Sequence, residues 1–244
     1  MCGDEMKGGL ATPEDYARYA EWLLGRGYKA IKLHTWMKPV SFAPDPRMDV
    51  KAGTAVREAV GPDIRLMLDA YHGYSRSDAL WLGRQLQKLG YYWYGKPMNE
   101  ASMSSYAWLA ADLATPVIGP ESMDGKFHTR AEWIKAGACD ITRTGVHDVG
   151  GIGASLKIIH PAECFGMDCE VHGGGAGNLA LTEVQKNGNW YERGLLHPFL
   201  DYDEVPEYLN SRPDPMDADG FVHLPQRPGL GDDINFDYIN SNLA

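Results

Sequence analysis

The sequence predicts an α/β fold, a parallel (β/α)8-type barrel truncated at its N-terminal edge, and three observations carry that prediction. The run Ile64-Arg65-Leu66-Met67-Leu68-Asp69 is apolar, long enough for one buried strand, and ends on a carboxylate. Further runs end the same way on a polar residue or glycine, giving candidate strand ends at His34, Asp69, Gly95, Glu121, Gly145, His172 and Glu192. Successive ends lie between 20 and 35 residues apart, about one strand plus one helix. In a closed parallel barrel all these ends open on one face, where a polar residue reads as chemistry rather than packing.

Each element has a local cause. Thr12-Pro13-Glu14-Asp15 supplies an N-cap, a proline at the first helical position and acids in the first turn. Tyr16, Tyr19, Ala20, Leu23 and Leu24 then form one apolar stripe that Gly25 and Gly27 end. Lys29–His34 is the first strand. Thr35–Met48, with Pro39, Pro44 and Pro46, reads as a long pocket-shaping loop at its C-terminal end. Helices are expected over Val50–Val60, Ser77–Leu89, Ser104–Leu113, Thr129–Ala136, Ile152–Phe165 and Ala176–Gln185. Strands are expected at Tyr91–Tyr94, Pro116–Glu121, Cys139–Thr142, Asp168–His172 and Trp190–Glu192. Seven strands are thus expected, with an eighth preceding Gly3, so the chain reads as starting at the end of a first strand. Residues 1–195 form the expected barrel, and 196–244, rich in Pro, Asp and Gly, a segment wrapping over it.

Composition narrows the function. At 244 residues and 44% hydrophobic, the chain can bury a substantial core, and length alone suits one barrel as well as two small domains. A net charge of −10 without a Lys/Arg cluster argues against a nucleic-acid partner and leaves room for a small anionic substrate. Cys2, Cys139, Cys164 and Cys169 show no CxxC spacing, which favours buried or idle thiols in a reducing, cytoplasmic setting. No apolar stretch approaches the ~20 residues needed to span a bilayer, and the N-terminus lacks a signal-peptide pattern.

Among the strand ends, Asp69 and Glu121 could converge on a Mg²⁺ ion, which takes a few carboxylate oxygens plus water and substrate. Lys32 and His34, two apart on one strand, point to the same side, and His172 sits on a later strand, giving bases that face one another across the barrel mouth. Each acid alone is as well explained by solvation, and each His by a structural hydrogen bond. The run Gly173-Gly174-Gly175 lacks a phosphate-binding Lys-Ser/Thr and reads as a tight strand-to-helix turn.

At these residues the chain resembles the mandelate racemase branch of the enolase superfamily, in particular its sugar-acid dehydratase-like members. The resemblance runs through Lys32-Leu33-His34, Leu68-Asp69-Ala70-Tyr71-His72, Trp93-Tyr94-Gly95-Lys96-Pro97, Ile118-Gly119-Pro120-Glu121, Val149-Gly150-Gly151-Ile152, Glu170-Val171-His172-Gly173 and Trp190-Tyr191-Glu192. It implies a TIM barrel, Asp69 and Glu121 as Mg²⁺ ligands, Lys32 and His34 in place of a Lys-x-Lys pair, and His172 as the base on the opposite face. It further implies Glu192 as an acid or hydrogen-bond donor near the substrate carboxylate. The implied reaction is Mg²⁺-assisted removal of the proton α to a sugar-acid carboxylate, followed by dehydration. Racemisation, epimerisation and lactone cycloisomerisation share the same enediolate, and a catalytically impaired barrel is the reading from another class. For the full-length family the resemblance implies a homo-oligomer.

Three departures accompany the resemblance. Gly95-Lys96 stands where members show Glu-Glu, removing a metal ligand and adding a cation. Gly145 stands where many members place an Asp that orients the catalytic His. The family's N-terminal capping domain is not in this chain.

Overall fold

A computed structural model describes residues 1–194 and 196–243. Six parallel strands curl into an open half-barrel in the order β1-β2-β3-β4-β5-β6. In chain order these are β1 (Ala30–His34), β2 (Arg65–Asp69), β3 (Trp93–Gly95), β4 (Val117–Ile118), β5 (Ile141–Thr144) and β6 (Asp168–Val171). The register pairs His34 with Asp69 and Asp69 with Gly95, so these three ends lie level.

The helices between the strands cover the outer face. They are α1 (Pro13–Gly25), α2 (Pro46–Val60), α3 (Arg76–Lys88), α4 (Met103–Asp112), α5 (Lys126–Lys135), the single-turn α6 (Val146–Val149), α7 (Ile152–Cys164) and α8 (Ala176–Val184). Thr12 caps α1 in a reciprocal box with Asp15. α2 starts four residues before the expected Val50, because Asp45 accepts from the Arg47 and Met48 amides and Pro46 takes the first helical position. The outer core includes Leu33, Val56, Leu68, Leu82 and Tyr94. Met67, Trp93, Ile118 and Ile141 form a separate cluster joined by Trp190.

The strand expected at Trp190–Glu192 does not form. Asn187 O accepts the Cys169 amide at 2.6 Å, and beyond it residues 188–194 carry no regular secondary structure. Side chains draw this stretch toward the C-terminal segment instead: the Tyr191 hydroxyl donates to Asp214 (2.9 Å), and Arg193 donates to Asp203 (2.6 Å) and Tyr28 (2.8 Å). Asp214 is fully buried and also accepts from Tyr202 and Arg212.

At the other edge, Cys2 forms an isolated parallel bridge with His34. Met1 O accepts the His34 amide at 2.7 Å, and the Gly3 amide donates back to His34 O at 3.0 Å. The first three residues therefore lie strand-like beside β1. The C-terminal segment adds the antiparallel pair β7 (Leu209–Ser211) and β8 (Asp233–Ile234) and the short α9 (Phe236–Ser241). No described helix is long and apolar enough to cross a membrane, and all four cysteines are free.

Candidate active site

The C-terminal ends of the strands open into a cavity of about 900 Å³ lined by Lys32, His34, Lys96, Glu121, His172 and Glu192, among others. Alternation along β1 places Lys32 and His34 on the face that lines it, and on β5 it puts Arg143 on the same face as Ile141. The buried Asp69 carboxylate lies behind this surface, 1% exposed.

On the β2–β4 side, Asp69 and Glu121 converge, and the ammonium of Lys96 sits between them. Lys96 Nζ lies 3.2 Å from Asp69 Oδ2 and donates a short hydrogen bond to Glu121 Oε1. Lys96 has φ +44°, a left-handed conformation unusual for lysine that costs on the order of 1 kcal/mol. Its Nζ also stands 5.0 Å from the centre of the Tyr71 ring. Burial would lower the Lys96 ammonium, but the charges of Asp69 and Glu121 outweigh it and raise it above the ordinary lysine range. Burial would likewise raise the Asp69 carboxyl, yet its cationic neighbours, Lys96 first among the permanently charged ones, hold it below the usual carboxylate range. Glu100 fixes the Glu121 backbone by accepting the Glu121 and Ser122 amides, each at 2.7 Å.

Two residues that sequence reasoning passed over complete the charge pattern. Arg143, 2% exposed, brings Nε to 2.9 Å from Glu121 Oε2, an ion pair not aligned as a hydrogen bond, while its Nη2 donates to Glu192 Oε2 at 2.9 Å. Glu192 also accepts from Lys32 Nζ at 2.6 Å. Burial opposes ionisation of Glu192, and Lys32 and Arg143 together overcome it, leaving its carboxyl well below the usual range. Arg143 was findable, since it lies two residues before the strand end at Gly145 and so points inward; attention to strand ends alone skipped it.

The second missed residue is Asp148. Its Oδ2 lies 3.1 Å from His172 Nδ1, and burial, which would raise its carboxyl, is outweighed by the hydrogen bond from His172, so it titrates low. A Cβ on Gly145 would lie 2.5 Å from Asp148 Oδ2 and 2.9 Å from His172 O. The single turn of α6 thus returns a carboxylate to the space that a side chain at 145 would fill. With Nδ1–H held by Asp148, His172 presents Nε2 to the cavity, 3.5 Å from Glu121 Oε1. Asn178 fixes this strand end, accepting from the Val146 amide (2.9 Å) and donating to His172 O (2.8 Å).

His34 is more deeply buried than Lys32 and His172. It is buried, 3.7 Å from Asp69 through Nε2, with no partner on Nδ1, and burial pushes it down to about 4, so it is neutral at pH 7.

Asp69 and Glu121 are donors of the type Mg²⁺ takes. As arranged, however, they do not fit a divalent ion: Lys96 is seated between them, and no group of three or more His, Cys, Asp or Glu among the described residues is placed to hold a metal.

Residues 15–238 match the sequence profile of the enolase C-terminal domain-like family. Among curated proteins, the chain is 31% identical over 200 residues to D-galactarolactone cycloisomerase of Agrobacterium fabrum, covering 78% of this chain and 52% of that one. It is 30% identical over 213 residues to arabinonate dehydratase of Saccharolobus solfataricus, covering 84% and 52%. The chain therefore spans about half the length of these curated relatives. Among solved structures, D-glucarate dehydratase from Agrobacterium tumefaciens, complexed with magnesium, superposes with a TM-score of 0.97 at 67% identity, over 99% of this chain and 63% of that one.

Proposed function

Because the chain belongs to the enolase C-terminal domain-like family, whose matched members include sugar-acid dehydratases and a cycloisomerase, we propose that its cavity takes a sugar acid by the carboxylate and that His172 removes the α-proton. The observation that carries this reading is the His172–Asp148 pair at a cavity that Lys32 and Lys96 also line. Asp148 holds the Nδ1–H tautomer, so the Nε2 lone pair is free to take a proton. The enediolate then formed places its charge near the cations of the cavity. Where a β-hydroxyl is present, it leaves as water with a proton from His172, now protonated, giving a 2-keto product after tautomerisation. Glu192 acts by orienting Lys32 and Arg143 about the carboxylate end. In the proposed setting the protein is cytoplasmic, has no nucleic-acid partner and, at full length, is a homo-oligomer.

The test is exchange of the α-proton in D₂O, followed by NMR over glucarate, galactarate and arabinonate, with product analysis to separate dehydration from epimerisation. Exchange that His172→Asn lowers by about 10²–10⁴-fold and Asp148→Asn by about 10–100-fold supports the reading. Absence of both exchange and sugar-acid binding would overturn it. A second reading, a barrel that binds sugar acids without turnover, is favoured by the ties already made by Lys32 to Glu192 and by Lys96 to the two carboxylates. Calorimetric binding without exchange would select it.

A further inference from the structure

In and just beneath the cavity wall three cations face three carboxylates: Lys32, Lys96 and Arg143 against Asp69, Glu121 and Glu192. Each carboxylate touches at least one cation, and Glu121 and Glu192 touch two. Asp148 is taken by His172, and Glu170, two residues before His172 on β6, is held by Trp93 Nε1 at 2.8 Å. The three ion-paired carboxylates are therefore matched by three cations without any added ion. Inserting Mg²⁺ between Asp69 and Glu121 would displace the ammonium that both carboxylates hold and add one net positive charge to the cluster.

The backbone bears this out. Lys96 keeps a left-handed φ of +44°, and its carbonyl accepts the His72 amide at 2.5 Å, which fixes the turn that aims its side chain inward. Gly95 beside it offers no side-chain oxygen, its carbonyl accepts the Ala70 amide at 2.9 Å, and a Cβ there would crowd Ile118 and the Trp93 ring, each at 3.1 Å.

We propose that the Lys96 ammonium is a tethered cation in the divalent position, so that this chain holds Mg²⁺ weakly and binds a sugar-acid carboxylate without it. The proposal rests on the reading of the cavity as a sugar-acid site only for its ligand; the statement about metal stands by itself.

The experiment is calorimetric titration of the whole chain with Mg²⁺, and with Mn²⁺ followed by electron paramagnetic resonance, beside Lys96→Gln and Lys96→Met. Sugar-acid titrations run in parallel in EDTA and in excess Mg²⁺. The expected result is weak metal binding by the unaltered chain, a gain of about a hundredfold or more in the Lys96 variants, and sugar-acid affinity in the unaltered chain that EDTA leaves unchanged. Tight Mg²⁺ binding by the unaltered chain overturns the proposal even if neither variant folds. Sugar-acid binding that vanishes in EDTA overturns it as well. Failure of every sugar acid to bind under both conditions instead overturns the assignment of the cavity, while the metal titration still decides the role of Lys96.

Discussion

The two rims of the cavity depart from the family pattern in opposite ways. On the β5–β6 rim, Gly145 stands where an aspartate is expected, and the loss is made good: one helical turn later Asp148 puts its carboxylate where that side chain would lie, against His172. On the β2–β4 rim, Gly95 and Lys96 change the sign of the site, and Lys96 binds the very carboxylates expected to hold a metal. The first rim keeps a carboxylate on the histidine while changing the residue that supplies it; the second pairs its carboxylates with an ammonium in place of a further acid. A missing group can be replaced from a neighbouring turn when its role is one hydrogen bond to one atom. A ligand set that must surround an ion is harder to rebuild, and an ammonium satisfies the same oxygens at once.

The largest expected effect probes the rim that is repaired. His172→Asn should lower α-proton exchange by about 10²–10⁴-fold with little change in sugar-acid affinity, measured by NMR in D₂O; unchanged exchange would move the base elsewhere. Next, Lys96→Met should cost about 3 kcal/mol of stability in EDTA at pH 8, because it leaves Asp69 and Glu121 facing each other without their shared cation. Added Mg²⁺ should recover part of that loss, read from denaturant midpoints. Gly145→Ala should cost about 2 kcal/mol and reduce exchange together with it, since the new methyl group collides with Asp148 and His172 O. If exchange survives intact, Asp148 is not the group that orients His172.

The smallest effect is a pH dependence. Burial pushes Glu170 up to about 7, and the charge of Arg143 and the bond accepted from Trp93 only partly offset that. Its proton is bound more tightly folded than unfolded, so the stability it contributes is fully present below the unfolded carboxyl pKa and is lost as pH rises through about 7. Glu170→Gln, which keeps an acceptor for Trp93, should therefore gain about 1–3 kcal/mol at pH 8 and almost nothing at pH 4. Equal gains at both pH values would break this account.

What the sequence made legible is what local patterns determine. The apolar runs placed the ends at His34 and Asp69, and Thr12 to Asp15 marked the start of α1 to the residue. Pro46 misled in the other direction: grouped with Pro39 and Pro44 as loop, it is the first residue of α2, where a missing amide costs nothing. The expected strand at Trp190–Glu192 failed because Tyr191 and Arg193 have partners in the C-terminal segment that no local pattern reveals. Lys96 was visible as a cation beside the site. Its bridging of Asp69 and Glu121, and the reach of Arg143 from Glu121 to Glu192, are three-dimensional facts that strand ends alone do not contain.

The pairing of Lys32 with Glu192 joins residues 160 apart, and two neighbouring contacts, Arg193 with Tyr28 and His197 with Asp4, join residues 165 and 193 apart. Such contacts gain their energy only after the loop between them has been closed, which makes them late events in folding. During synthesis, β1 emerges and docks on β2 long before Glu192 exists to hold Lys32. The cavity mouth is consequently completed late, after the strands that frame it. A chain caught before that step would already have its parallel sheet, with an unpaired lysine where the site will form.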